Sequence, residues 1–194
     1  MTGVLEWDLA ALQRSLHLTD EEVRAYFTDG RRVSFLLERR LMREVLGGRL
    51  ARSEGNGYDV LDRDGRKWEV RSVSKGGIYF CPSYMVGSGR SFNCDGFLRK
   101  LDDIHGYAIS DITGFPRVPY WLVTAEQVRN WWNSNRLGPS TQISREKGVS
   151  APGSCEMTFV EAGRRTEYGA TFVSAWIDAP MSFCTEIGQR DACR

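Results

Sequence analysis

Residues 33–74, VSFLLERRLMREVLGGRLARSEGNGYDVLDRDGRKWEVRSVS, decide the fold. Apolar residues recur at helical spacing from Val33 to Leu46, and Gly47-Gly48 then supplies a stop, so this part predicts an amphipathic helix. GYDVLD and KWEVRSVS show partial two-residue alternation, and the Asp-Gly step between them is typical of a tight turn. The segment therefore predicts a helix followed by a β-hairpin.

Strand and helix patterns continue on both sides of this segment. GGIYFCPSYMV (76–86) predicts a third strand that ends near Pro82, GFLRKLDDI (96–104) a helix, and YAISDITG and VPYWLVT two more strands. Capping boxes at Thr19 and Thr124 predict two further helices, and the opening MTGVLEWDLAALQRSL predicts an amphipathic helix. The order predicts an α/β fold with a central mixed β-sheet flanked by helices and a β-containing C-terminal extension over 137–194.

The tryptophans Trp121, Trp131 and Trp132 invite a base-stacking interpretation, but core packing is the interpretation adopted here. Trp132 lies four residues after Val128 and is expected to share its face of the helix. Trp131 is expected to point elsewhere.

Length and composition describe one globular domain over 1–194. The chain is 41% hydrophobic and 26% charged, its net charge is +1, and it contains no run of about 18 apolar residues. Its start does not follow the signal-sequence pattern. Five cysteines, odd in number and never spaced as CxxC, argue against a structural zinc site and predict reduced thiols. A cytoplasmic location is therefore expected.

Carboxylates on the two hairpin strands form the candidate site. Metal-dependent hydrolysis of a phosphodiester needs carboxylates that hold Mg²⁺ and a cation near the attacking water or the phosphate. Asp59 lies on the first strand, whereas Glu69 and Arg71 lie two apart on the second and project from one face of the sheet. The backbone carbonyl of Val70 is a further candidate metal ligand.

Residues 34–74 resemble the PD-(D/E)xK nuclease superfamily, which contains type II restriction endonucleases and archaeal-type Holliday junction resolvases. In that superfamily a helix with an acidic residue precedes a strand with the metal-binding aspartate, and the next strand carries Glu-x-Lys. Glu38 matches the helix carboxylate, Asp59 the aspartate and Glu69 the glutamate, while Arg71 stands at the lysine position. The resemblance covers roughly residues 31–125 and implies a restriction-endonuclease-like core and a Mg²⁺-dependent nuclease.

Arginine at position 71 departs from the superfamily pattern. The superfamily lysine orients or helps to deprotonate the attacking water, whereas arginine stays charged at any working pH. Arg71 can still steer the water and stabilise negative charge on the phosphate. Lys67, two residues before Glu69, and Lys75, just beyond the strand, are alternative amines. A site that binds DNA without cleaving it is the third interpretation.

Basic and polar residues outside this motif are the candidate DNA contacts. They are Lys75, Ser83, Arg90 in the glycine-bearing loop GSGRSFN, Arg39 on the helix, and Arg164 and Arg165 in the extension. Arg145 and Lys147 join Arg164 and Arg165 as candidate base readers. Lys75, Arg99 and Lys100 are interpreted either as phosphate contacts or as solvated charges.

The resulting expectation is a type II restriction endonuclease that cuts double-stranded DNA with Mg²⁺ as cofactor and acts as a homodimer. Two alternatives stay open. A structure-directed nuclease of the resolvase or repair type would need branched DNA, whereas a catalytically silent DNA-binding module would bind in a salt-sensitive manner without turnover.

Overall fold

The computed structural model of the chain describes residues 2–53, 57–74 and 76–143. The main elements are β1 (Thr2–Glu6), α1 (Leu9–Leu16), α2 (Asp20–Phe27), α3 (Gly30–Leu41), β2 (Arg49–Leu50), β3 (Val60–Leu61), β4 (Lys67–Val73), β5 (Ile78–Tyr79), α4 (Cys94–Asp103), β6 (Gly106–Asp111), β7 (Arg117–Thr124), α5 (Ala125–Asn133) and β8 (Gln142–Ile143). A π-helical turn, Met42–Leu46, extends α3, and short 3₁₀ helices span Ser83–Met85, Ile112–Gly114 and Pro139–Thr141. The predicted extension lies outside the described residues from position 144 onward.

Six strands form one mixed sheet in the order β1-β7-β6-β4-β3-β2. β4 and β6 pair in parallel, and the other neighbours pair antiparallel. A parallel pair needs a crossover connection, which α4 provides between β4 and β6. The predicted α/β class, a mixed sheet flanked by helices, is confirmed.

Helices cover both faces of the sheet, and one apolar cluster lies on each face. The first cluster joins α1, α2 and α3 to the sheet, and its members include Val23, Leu37, Leu41, Trp68 and Val70. The second joins α4 and α5 to the other face, and its members include Val73, Phe97, Tyr107, Val128 and Trp131. Because side chains alternate along a strand, Glu69 and Arg71 of β4 face the second layer. No helix within the described ranges is long and apolar enough to cross a bilayer.

The predicted hairpin is confirmed by the antiparallel pairing of β3 and β4, in which Val60 lies opposite Trp68. Asp62 closes its turn and is almost fully buried. The carboxylate accepts hydrogen bonds of 2.9 Å from the backbone N–H groups of Asp64 and Arg66 and from Trp68 Nε1. Burial on its own raises the pKa of Asp62, but the hydrogen bonds from Trp68 and Arg66 outweigh it and lower the pKa to about 2.

The predicted third strand does not join the main sheet. β5 is two residues long and pairs with β8 in a separate two-stranded sheet. Both edges of β4 are already paired, one with β3 and the other with β6, so β5 cannot pair with β4. The main sheet gains instead the short strand β2, which pairs with β3.

The start of the chain is a strand and not the predicted helix. β1 pairs antiparallel with β7 along its whole length. The helix begins only at Leu9, because Asp8 is its N-cap and accepts a hydrogen bond of 2.8 Å from the Ala11 N–H. The capping boxes predicted at Thr19 and Thr124 are both present.

The predicted environments of Trp131 and Trp132 are reversed. Ala125, Val128 and Trp131, at three-residue steps, form the buried face of α5. Trp132 is half-buried beside this face and packs against Phe97, with ring centroids 5.5 Å apart. Core packing is confirmed for Trp131. The prediction was wrong about which residue lies at the middle of the buried face of α5, which is Trp131 and not Trp132.

The cysteines differ from one another in chemical state. Cys94 at the start of α4 is disulfide-bonded, so the expectation of reduced thiols is wrong for this residue. Cys81 is a free and buried thiol, and its Sγ lies 3.2 Å from the backbone carbonyl oxygen of Ser140.

Candidate metal centre

The candidate site lies at the open end of the β3–β4 hairpin. The β3–β4 register ends at Val60, opposite Trp68, and Asp59 directly precedes Val60 while Glu69 directly follows Trp68. The backbone N–H of Asp59 donates a hydrogen bond of 3.0 Å to the Trp68 carbonyl. Asp59 Oδ2 accepts one of 2.7 Å from the Val70 N–H. The hairpin therefore brings the two carboxylates near each other, and the Val70 N–H holds the Asp59 carboxylate in place.

The two carboxylates repel each other. Burial, and after it the negative charge of Glu69, raise the pKa of Asp59. The Val70 N–H and the positive charges of Arg71 and Lys100 act in the opposite direction, but the net shift is upward. A pair of partly buried carboxylates in this condition is stabilised by a nearby cation.

Two basic side chains already contact Glu69. Its Oε1 lies 2.6 Å from Arg71 Nη2, and its Oε2 forms an ion pair with Lys100 Nζ. The exposed fraction is 20% for the Arg71 side chain, 11% for that of Lys100 and 9% for that of Glu69. Lys100 also donates to the carbonyl of Gly57, two residues before Asp59. The site thus combines two carboxylates with two largely buried cations.

The donor set fits Mg²⁺ better than a structural transition metal. Within the described ranges, no three His, Cys, Asp or Glu side chains form a group that could hold a metal ion. Mg²⁺ is usually held by one or two carboxylates, with waters and substrate phosphates completing its octahedron, so Asp59 and Glu69 suffice. A closed zinc site would need four protein ligands. The carbonyl of Val70, the predicted further ligand, accepts a hydrogen bond of 3.1 Å from Arg71 Nη1.

Glu38 lies on α3, whose buried residues Leu37 and Leu41 pack on the face of the sheet opposite to that of Glu69. Among the described residues, no three His, Cys, Asp or Glu side chains form a group that could hold a metal ion, so the geometry assigns no third ligand at position 38. Its predicted catalytic role gains no support from this geometry.

The three candidates for the superfamily lysine role have different surroundings. Arg71 contacts Glu69 directly. Lys67 instead forms an ion pair with Asp103 on α4, and its Nζ lies 5.6 Å from the centroid of the Tyr58 ring. Lys75 lies outside the described residues. Of the first two, only Arg71 is placed to act on a ligand held by Glu69.

Three of the predicted DNA contacts, Arg39, Ser83 and Arg90, lie within the described residues. Arg39 lies on α3, and its guanidinium carbon is 3.7 Å from the centroid of the Phe35 ring. Arg90 Nη1 donates hydrogen bonds of 2.7 Å to the Ser83 carbonyl and 3.2 Å to the Val86 carbonyl, which closes its own loop. The side chain of Ser83 is exposed. Arg145, Lys147, Arg164 and Arg165 lie outside the described residues.

Lys100 was not identified from the sequence as a residue of the candidate site. It follows Phe97 by three positions and precedes Leu101, and both apolar residues are buried, so Lys100 borders the buried face of α4. In a βαβ unit, the buried face of the crossover helix packs against the sheet, here on the side of Glu69. The position of Lys100 at the border of this face was the sequence signal that could have identified it.

A cavity of about 290 Å³ opens beside Lys100. Its lining includes Gly57, Tyr84, Arg99 and Asp103. The side chains of Tyr84 and Arg99 are exposed, and Arg99 has no ion pair or hydrogen bond among the residues that the structure describes. The cavity therefore gives solvent and ligands a route to the ammonium group that contacts Glu69.

No family model, curated protein or solved structure matches the chain. The resemblance to PD-(D/E)xK nucleases consequently stays a prediction, and the geometry of the site is the basis for the functional proposal.

Proposed function

We propose that the protein is a Mg²⁺-dependent endonuclease that hydrolyses phosphodiester bonds in double-stranded DNA. The observation that carries the proposal is that Asp59, which accepts a hydrogen bond from the Val70 N–H next to Glu69, lies close enough to Glu69 for the charge of Glu69 to contribute to its raised pKa. Such a pair attracts a divalent cation, and the neighbouring basic side chains favour a negatively charged substrate.

The chemistry divides between the metal and the side chains. A bound Mg²⁺ would polarise the phosphate and lower the pKa of a coordinated water. Asp59 and Glu69 would hold the ion. Arg71 would orient the phosphate and stabilise the negative charge that develops as the water oxygen bonds to phosphorus and the P–O bond to the leaving sugar breaks. Because its guanidinium stays protonated, Arg71 does not accept the proton from the water.

The substrate that we propose first is a specific sequence in duplex DNA. The protein would then be a type II restriction enzyme that acts as a homodimer. Two-fold symmetric cleavage of duplex DNA matches a two-fold symmetric protein. Cleavage of branched DNA is the alternative substrate class. A silent DNA-binding module is favoured by one observation, namely that both oxygens of Glu69 are engaged in ion pairs.

The test is incubation of the purified protein with a long linear duplex, with Mg²⁺ and separately with EDTA, followed by gel electrophoresis. Discrete fragments that require Mg²⁺ are expected, and sequencing of their ends would identify the target. Cleavage of a four-way junction alone would assign the structure-directed class. DNA binding without cleavage of either substrate would overturn the nuclease proposal in favour of the silent module.

A further inference from the structure

Each carboxylate oxygen of Glu69 is in contact with a basic side chain. Arg71 covers Oε1 and Lys100 covers Oε2. Mg²⁺ binds carboxylate oxygens directly, at about 2.0–2.1 Å. A metal ion that binds Glu69 therefore competes with these two cations through charge repulsion and for space at the carboxylate.

The two cations differ in how firmly they are held. Arg71 lies on the same strand as Glu69, and its planar guanidinium also donates to the Val70 carbonyl. Lys100 reaches Glu69 from α4 through a flexible four-carbon stem that carries a compact charge. Among the described residues, its other partner is the carbonyl of Gly57. Lys100 is thus the cation that can leave.

The cavity beside Lys100 provides the place to which its ammonium group can turn. Arg99 lines the same cavity, is exposed and lacks an ionic partner within the described ranges, so two positive charges border the space next to the carboxylates. A phosphate group is the ligand that fits two neighbouring basic side chains beside a metal-holding pair. Asp103 also lines the cavity, but its carboxylate is paired with Lys67.

We propose that Lys100 is an exchangeable positioning residue that holds Glu69 in the metal-free protein and moves to the substrate phosphate when a divalent ion takes that carboxylate. The proposal rests on the proposed nuclease function for its phosphate partner, whereas competition between Lys100 and the metal for Glu69 holds independently of cleavage. A fixed structural ion pair would remain in place throughout.

The decisive experiment measures metal affinity and not activity. The full chain is titrated with Mn²⁺, and free Mn²⁺ is followed by electron paramagnetic resonance for the wild type, Lys100→Met and Lys100→Arg. Lys100→Met removes a competing positive charge and should tighten Mn²⁺ binding by roughly 10-fold. Lys100→Arg, which keeps the charge, should stay within about 3-fold of the wild type.

Arg129→Met is the matched control. Arg129 forms an ion pair of 2.5 Å with Asp102, so this variant removes one positive charge from the surroundings of the same helix, away from Glu69. Its Mn²⁺ affinity should equal that of the wild type. If circular dichroism shows that Lys100→Met does not fold, Lys100→Gln gives the same comparison. Unchanged or weaker Mn²⁺ binding in the neutral Lys100 variant overturns the exchange.

A second readout tests the phosphate end of the exchange. Binding of a fluorescein-labelled duplex is measured in Ca²⁺, an ion taken here to support binding without cleavage, and Lys100→Met should weaken it at least 5-fold while Arg129→Met leaves it unchanged. Tighter metal binding with unaltered DNA binding would overturn the transfer to phosphate. The two proposals fail in distinguishable ways. If the wild type does not cleave DNA but Lys100→Met binds Mn²⁺ more tightly, only the nuclease proposal is wrong. If the wild type cleaves DNA but Lys100→Met does not bind Mn²⁺ more tightly, only the proposed exchange of Lys100 is wrong.

Discussion

Asp59 Oδ2 accepts a hydrogen bond of 2.7 Å from the backbone N–H of Val70, the residue between Glu69 and Arg71. The bond fixes the direction of one carboxylate relative to the other but leaves its negative charge uncompensated by a basic partner of its own. An asparagine at position 59 can keep the bond through its amide oxygen while losing the charge. Charge and position at the site can therefore be separated by single substitutions.

Asp59→Asn and Glu69→Gln should each lower Mg²⁺-dependent DNA cleavage by about 100-fold or more, because each removes one of two metal-holding charges. Folding, followed by circular dichroism, should be retained. Asp64→Asn is the control, since Asp64 is an exposed carboxylate of the same hairpin, paired with Arg66 at 2.8 Å. Full activity in either site variant would remove the assignment of the metal ligands.

The pH dependence of stability should have opposite signs at Asp59 and Asp62. The pKa of Asp59 is raised in the fold, so the folded protein binds more protons than the unfolded chain just above the ordinary aspartate pKa of about 3.9. The Asp59 contribution to the free energy of unfolding therefore falls as pH rises through that window. In EDTA at pH 7, Asp59→Asn should be more stable than the wild type, and the difference should vanish below about pH 3.

Asp62 provides the opposite case on the same hairpin. Its pKa is lowered to about 2, so its carboxylate stabilises the fold above about pH 4, and this contribution is lost as pH falls toward 2. Asp62→Asn should lose roughly 2 kcal/mol at pH 7 and little at pH 2. Urea unfolding at several pH values measures both variants. Equal behaviour of the two would show that the fold does not raise the pKa of Asp59.

Arg71→Lys should retain or raise cleavage if Arg71 occupies the lysine position of the superfamily, because a lysine there restores the usual amine. Arg71→Met should lose activity, since the contact with Glu69 at 2.6 Å disappears. Cleavage rates at saturating Mg²⁺ compare these variants with Lys67→Met. If Lys67→Met is inactive and Arg71→Met is not, the amine at position 67 performs this role.

Arg99→Ala should weaken DNA binding and reduce the slope of log affinity against log salt concentration by about 1, as expected for one lost phosphate contact. Arg39→Ala is the control, because Arg39 lies on α3 and stacks on Phe35 in the opposite layer. Fluorescence anisotropy over a series of salt concentrations measures both. A larger effect at Arg39 would place the DNA on the α3 side of the sheet.

Elements defined by contacts close in sequence were predictable. The capping box at Thr124, the helix stop at Gly47 and the turn of the β3–β4 hairpin all depend on residues within a few positions of one another. Such local signals act before tertiary packing and survive in it. The hairpin and its two carboxylates were therefore predictable from the sequence.

Features that depend on distant partners were missed. β1 is held in strand form by β7, and β5 pairs with β8 instead of with the hairpin. Neither pairing leaves a local sequence pattern. The local propensities instead favoured a helix at the start of the chain and a third strand beside the hairpin. The contact of Lys100 with Glu69 belongs to this group, because the crossover through α4 creates it.

Glu69 and Lys100 are separated by 31 residues, and the parallel pairing of β4 with β6 brings α4 over the hairpin. Contacts between such distant residues carry a loop-closure cost and are slow to form, whereas a hairpin can form locally. Newly synthesised chains would thus acquire the two carboxylates and Arg71 before Lys100. On the proposed roles, the cation that contacts the phosphate is therefore the last part of the site to be placed.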